Sequence, residues 1–183
     1  MRLKSHYQLG SYLAETYLNH LPQRCIRAFL LGCTEPDRNP LTYLKGSFRE
    51  QWLRGHNYRN ARRFMHRISR RLEKKSHWNL FDYYTLGKLI HYTADAFTHA
   101  HNESFPDNLT QHRAYEAELQ EHFLQYLKQD PQIHPKAATS VITVIRQYHA
   151  EYRKQCPNVA TDSRFALNAC CCILIGLLNT KIL

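Results

Sequence analysis

The sequence predicts an all-α fold, and three observations carry that reading. Apolar residues recur at helical spacing in one segment after another, no segment alternates as a strand between hairpin turns, and the 183 residues include only six glycines. Ser5 followed three residues later by Gln8 reads as a capping box that opens a first helix, with Leu9, Leu13 and Tyr17 on its apolar face and His6 in its first turn. A second, short helix runs from about Pro22 to Leu31 and ends at Gly32. It delivers the chain into "CTEPDRNP", where two prolines bracket Asp37 and place it on a loop. From Asn57 to Lys75, the residues Phe64, Ile68 and Leu72, with Ala61 and Met65 beside them, form one apolar stripe on a helix whose other faces are basic, and His56 stands just before it. Further helices are predicted at about 82 to 100, at 109 to 128 after Asn108 as cap, at 136 to 154 with Val141, Ile145, Tyr148 and Tyr152 on one face, and at 162 to 179. About seven helices in a single domain over residues 1–183 result, without repeats or low-complexity linkers.

Composition narrows the class. With 43% apolar and 22% charged residues the chain is that of a folded soluble protein. The start "MRLKSHYQLGSYLAE" lacks the apolar core of a secretory signal, because His6, Gln8, Ser11 and Glu15 interrupt it, so a cytoplasmic location is expected. The longest apolar run, Ala166 to Leu178, has thirteen residues against the roughly 17 to 25 of a membrane-spanning helix, which predicts a buried core helix and no transmembrane segment. Cys170, Cys171 and Cys172 are adjacent, Cys25, Cys33 and Cys156 are scattered, and the set reads as reduced thiols. A net charge of +10 favours anionic partners.

The stretch "HYTADAFTHAHN", residues 91–102, concentrates the candidate chemistry. Residues four apart share a helix face, so His91 and Asp95 can chelate one ion together. His99 continues that row and His101 is displaced around the axis; spacing leaves the choice between them open. His112 and Glu116 form a second pair of the same kind. Imidazole and carboxylate ligands suit zinc, which lowers the pKa of a coordinated water to about 7, and two or more such ions stabilise both the attacking and the leaving oxygen of a phosphoryl displacement.

"LGKLIHYTADAFTHAHN" followed by "HRAYE" resembles the central motif of the zinc-dependent phospholipase C family, whose fold is shared with single-strand-specific zinc nucleases. "SHYQLG" resembles the family's N-terminal helix, "EPD" its loop aspartate and "RGHNY" a further ligand histidine. The resemblance implies an α-helical domain around a metal cleft holding two to three zinc ions. One ion would be held by Asp37, His56, His91 and Asp95, and a second by His101, His112 and Glu116. Asp95 would bridge to a third beside His6. The resemblance selects His101 over His99, which becomes a supporting or substrate-contacting group, and it makes Asp37 the group that orients or deprotonates the attacking water. Secreted members complete the third site with an N-terminal tryptophan. Here residue 1 is Met1, five residues before His6, and the bulky Arg2 hinders removal of the initiator methionine; the Met1 amino group is expected to take that place.

The predicted activity is therefore a zinc metallo-hydrolase cleaving a phospholipid or related phosphodiester. Its alternatives are a nuclease or nucleotidase on the same fold, and a non-catalytic zinc-stabilised binding protein. Eight Lys/Arg residues against Glu73 alone between Arg59 and Lys75 make residues 59–75 a candidate surface for anionic membrane, with nucleic acid second. Tyr83, Tyr84, Tyr92 and Phe97 flank the motif, as core residues or as a cage for a quaternary ammonium. His20, His66, His77, His122, His134 and His149 fit no ligand spacing and read as ordinary surface or core residues.

Overall fold

Seven α-helices and one short 3-10 turn make up the computed structural model, which describes residues 1–39, 58–102, 104–106, 108–134 and 140–179. They are α1 (Leu3–Tyr17), α2 (Gln23–Arg38), α3 (Tyr58–Lys74), α4 (Leu80–Ala96), the turn His99–His101, α5 (Leu109–Lys128), α6 (Val141–Tyr152) and α7 (Val159–Asn179). No strand occurs among the described residues, in line with the all-α expectation.

The interior is organised on α4. Its first turn carries a capping box in which the Asn79 side chain accepts from the Asp82 amide and the Asp82 carboxylate accepts from the Asn79 amide. From Leu89 onward every residue of the helix is buried, because α2, α3 and α7 pack around it. A helix apolar on all sides is the sequence signature of such a central position.

Helix α2 corrects the expectation of a short helix followed by a loop. It continues through Pro36 to Arg38, so Asp37 stands on its last turn. Gly32 does not terminate it. A Cβ at Gly32 would lie 2.0 Å from the Tyr84 carbonyl oxygen and one at Gly87 2.1 Å from the Phe29 carbonyl oxygen, so these two glycines let α2 and α4 cross backbone to backbone. Pro36 removes one rung of the ladder, and the Thr34 hydroxyl bonds to the carbonyls of Leu30 and Leu31 in the turn before it. One turn beyond the crossing, α4 presents His91 and α2 presents Asp37.

The first helix starts earlier than the proposed capping box. Arg2 is its N-cap without a side-chain bond, and Ser5 is buried inside the helix. Met1 is buried too, and the helix begins directly after it. Helix α3 buries Ala61, Met65, Ile68 and Leu72, with Phe64 half-buried against Tyr92, so the predicted stripe is the packing face. Its basic side is partly engaged, since Arg71 and Lys75 both bond the buried Asp82 carboxylate.

Helix α5 has the predicted bounds, with the Asn108 side chain accepting from the amides of Thr110 and Gln111. Helix α6 begins at a Ser140 cap, later than the expected residue 136; residues 135–139 lie outside the described ones. The apolar run 166–178 sits within the longer α7, whose 21 residues reach membrane-crossing length and composition while most of the helix is buried against α4, α5 and α6. All six cysteines are free.

Candidate metal centre

Two groups of side chains gather where α1, α2, α4, the 3-10 turn and α5 meet. The first is His6, His91 and Asp95, all buried, each offering one ligand atom within 4.8 Å of the others. His91 and Asp95 stand one turn apart on α4, with His91 Nε2 3.3 Å from Asp95 Oδ2. The His91 Nδ1–H donates to the Cys33 carbonyl at 2.9 Å, which fixes the tautomer and leaves the Nε2 lone pair facing Asp95. His6, from α1, stacks on the His91 ring with centroids 3.8 Å apart and brings its Nε2 to 3.2 Å from Asp95 Oδ1. Neither ring nitrogen of His6 has a hydrogen-bond partner among the described residues, although the side chain is only 1% exposed. Burial, together with the neighbouring His91, lowers its pKa to about 4. A neutral, orphaned imidazole against a carboxylate is a donor set that a divalent ion would satisfy.

Asp37 borders this group, with Oδ1 3.6 Å from His91 Nε2 and Oδ2 3.9 Å from His6 Nε2. Its side chain is 14% exposed where that of Asp95 is sealed, so Asp37 is the carboxylate of this group that reaches solvent.

The second group is His101, His112 and Glu116, all half-buried. His112 and Glu116 stand one turn apart on α5, and His101 Nε2 approaches Glu116 Oε1 at 3.1 Å. His101 gets there because α4 stops at Ala96, short of the expected residue 100. Thr98 adopts an extended backbone, and the Asn102 side chain donates to the carbonyls of Ala96 and Thr98 at the helix end. The turn that follows swings His101 to 3.7 Å from Asp95 Oδ1. His99 goes the other way, its ring against Phe105 and Tyr115 and its amide donating to Asp162.

Met1 joins the two groups. Its amino group lies 2.5 Å from Asp95 Oδ1, 3.2 Å from Glu116 Oε1 and 2.8 Å from His101 Nε2. Burial opposes the charge on this amine, but Asp95 and Glu116 outweigh it and push its pKa up to about 10. Burial likewise opposes ionisation of the two carboxylates, yet His101 and the amine hold Asp95 well below the carboxylate range, and the amine and His101 do the same for Glu116. Burial lowers the His112 pKa, against the pull of Glu116. His56 lies outside the described residues.

A pocket of about 540 Å³ opens beside the second group, with His101 in its wall and Arg59, Arg62, His149 and Arg153 around it. His149 was not singled out by spacing. It stacks on Tyr58 of α3, centroids 3.6 Å apart, a neighbour more than ninety positions away that no local pattern reveals. Asp162 was missed for the same reason: it accepts from the hydroxyls of Tyr115 and Tyr152 and the amide of His99, contacts from three other elements. The aromatic residues flanking the motif form no cage. Tyr92 and Phe97 are sealed in the core, Tyr83 packs edge-on against Trp78, and Tyr84 lies under Lys88.

No curated protein and no solved structure matches the chain. A family profile described as zinc dependent phospholipase C matches residues 5–162, a span that holds His6, Asp37 and both groups apart from the Met1 amine. By that match over most of its 183 residues, the chain belongs to the zinc dependent phospholipase C family.

Proposed function

We propose that this protein is a zinc-dependent phosphodiester hydrolase of the phospholipase C type. The observation that carries the proposal is the meeting of a buried His/carboxylate group, bordered by the part-exposed Asp37, with a second, half-buried one, His101 being shared between that second group and the pocket. We assign two to three zinc ions to His6, Asp37, His56, His91, Asp95, His101, His112 and Glu116, with the Met1 amine completing the set. Bound there, zinc supplies the Lewis acidity that polarises a phosphoryl oxygen and makes water a nucleophile at neutral pH.

The chain's own residues do the rest. His91 is oriented by the Cys33 carbonyl, so its lone pair stays aimed at the site through turnover. Asp95 is sealed and committed to its neighbours. Asp37, at the solvent edge, is placed to accept the proton of the attacking water. The pocket beside His101 receives the head group.

Elemental analysis of the purified protein is expected to find two to three zinc ions per chain, and the loaded protein to hydrolyse bis(p-nitrophenyl) phosphate. Asp37→Asn is expected to lower that rate by about a hundredfold or more, the lower range for loss of a general base. Absence of zinc would sink the proposal, and zinc without activity on any phosphodiester would make the protein a binding module. One observation favours a nuclease reading: Arg62, Arg63, Arg67 and Arg70 of α3 are exposed. Hydrolysis of single-stranded DNA in preference to phosphatidylcholine would decide for it.

A further inference from the structure

We infer that the pocket beside His101 selects substrates whose head group carries a second anion, a phosphomonoester or a carboxylate, beyond the scissile phosphodiester; the inference rests on the phosphodiesterase reading above. Because His101 belongs to both the second group and the pocket wall, a phosphate held at that group projects its substituent into the pocket. Two arginines line that space from different elements, Arg62 near the start of α3 and Arg153 at the end of α6, and no carboxylate is among the described lining residues. Tyr58 and His149, stacked with ring centroids 3.6 Å apart, form an aromatic wall of the pocket, and Arg62 and Arg153 line the same space. Like charges around one hollow repel each other, and an anion between them relieves that repulsion while accepting charge-assisted hydrogen bonds.

His149 gives a second, independent pointer to a ligand. It lines the pocket, is only 7% exposed, and its Nε2 has no hydrogen-bond partner among the described residues. Buried polar atoms are rarely left unpaired, and one that faces a pocket is open to a partner from outside the chain, a water, an ion or a ligand. Burial keeps this imidazole neutral at pH 7, with one N–H and one lone pair, suited to a phosphate oxygen or a head-group hydroxyl. A quaternary ammonium head group fits badly here, since the arginines repel it.

The test compares two product head groups on the zinc-loaded full chain by calorimetry. Phosphocholine and inositol 1,4-bisphosphate each offer one phosphate to the metal groups, and only the second brings another anion to the arginines. We expect inositol 1,4-bisphosphate to bind about tenfold more tightly or better, and Arg62→Ala with Arg153→Ala to erase the difference by weakening the inositol compound while phosphocholine, relieved of the arginines' repulsion, binds no more weakly than before. Equal binding by the unaltered protein overturns the inference, as does a variant that weakens both ligands alike. Tighter binding of thymidine 3′,5′-bisphosphate than of the inositol compound also overturns it, by moving the pocket to nucleic acid. Should the double variant fail to fold, Arg153→Ala alone reads the same ratio. Failure of bis(p-nitrophenyl) phosphate hydrolysis defeats the enzyme reading separately, because the binding comparison needs no turnover.

Discussion

His149 sits between Tyr58 and Phe97 with its pKa lowered to about 4 by burial first and by Arg153 second, against 6.5 in an unfolded chain. Above pH 6.5 both states are neutral and this histidine adds no pH dependence. Below it the unfolded chain takes up a proton that the folded one resists, so stability is lost as pH falls from 6.5 towards 4, at up to about 1.4 kcal/mol per unit. His149→Phe keeps the stacked ring and removes the titration. Urea unfolding at pH 7 and pH 5 should therefore show the unaltered protein losing about 2 kcal/mol more than the variant; parallel losses would assign the acid sensitivity elsewhere. Met1 gives a prediction of the same scale. Two residues added before it move the amine away from Asp95 and Glu116, leaving one buried and one half-buried carboxylate without their shared counter-charge. Zinc content and melting temperature should both fall, and unchanged zinc content would remove Met1 from the site. Residue by residue, spacing made the i,i+4 pairs legible and left His99 and His101 open, a choice made for His101 only by the family resemblance, because it depends on where α4 stops. That stop is set by Thr98 and Asn102, whose capping bonds are contacts rather than periodicities.

At the scale of elements, the crossing of α2 and α4 positions the first group. Gly32 and Gly87 allow it, and each has a carbonyl oxygen of the other helix about 2 Å from where a Cβ would stand. Alanine at either position must push the helices apart, and overpacking of this kind costs about 1–3 kcal/mol, occasionally more. For a chain of this size that is a fall in melting temperature of roughly 2–12 °C. Gly32→Ala should also pull Asp37 and the Cys33 carbonyl away from His91, so zinc affinity should weaken in a protein that still folds. A variant with lost stability and unaltered zinc affinity would mean the crossing does not position the site. Gly32 was legible as a special residue, but its sequence setting, at the end of an apolar segment and before two prolines, matched a helix terminus. Only the partner helix, more than fifty residues later, distinguishes a terminating glycine from a crossing one. The third and fifth helices were read almost to the residue because their signals are local: a stripe at 61, 65, 68 and 72, and a cap at Asn108.

Across the whole molecule, the candidate ligands come from α1, α2, α4, the turn after it and α5, so the centre ties the first residues of the chain to positions more than a hundred places away. Charged and polar groups packed this closely are costly without partners, and the Met1 amine by itself balances only part of the charge of Asp95, Glu116 and Asp37. Metal binding is then also folding free energy, because no preformed site exists in the unfolded chain. With free zinc at about a thousand times its dissociation constant, the native state gains about 4 kcal/mol. For a chain of this size each kcal/mol corresponds to roughly 2–4 °C, so stripping the metal with a chelator should lower the melting temperature by roughly 8–16 °C, and adding zinc back should restore it. Hydrogen exchange of the stripped protein should rise most in α1, whose contribution to the centre is His6 and the Met1 amine ahead of it, and least in α4 and α7, which share the apolar core. A stripped protein with an unchanged melting temperature and unchanged exchange in α1 would show that the helices hold the site open without metal, which would leave the cluster to catalysis alone.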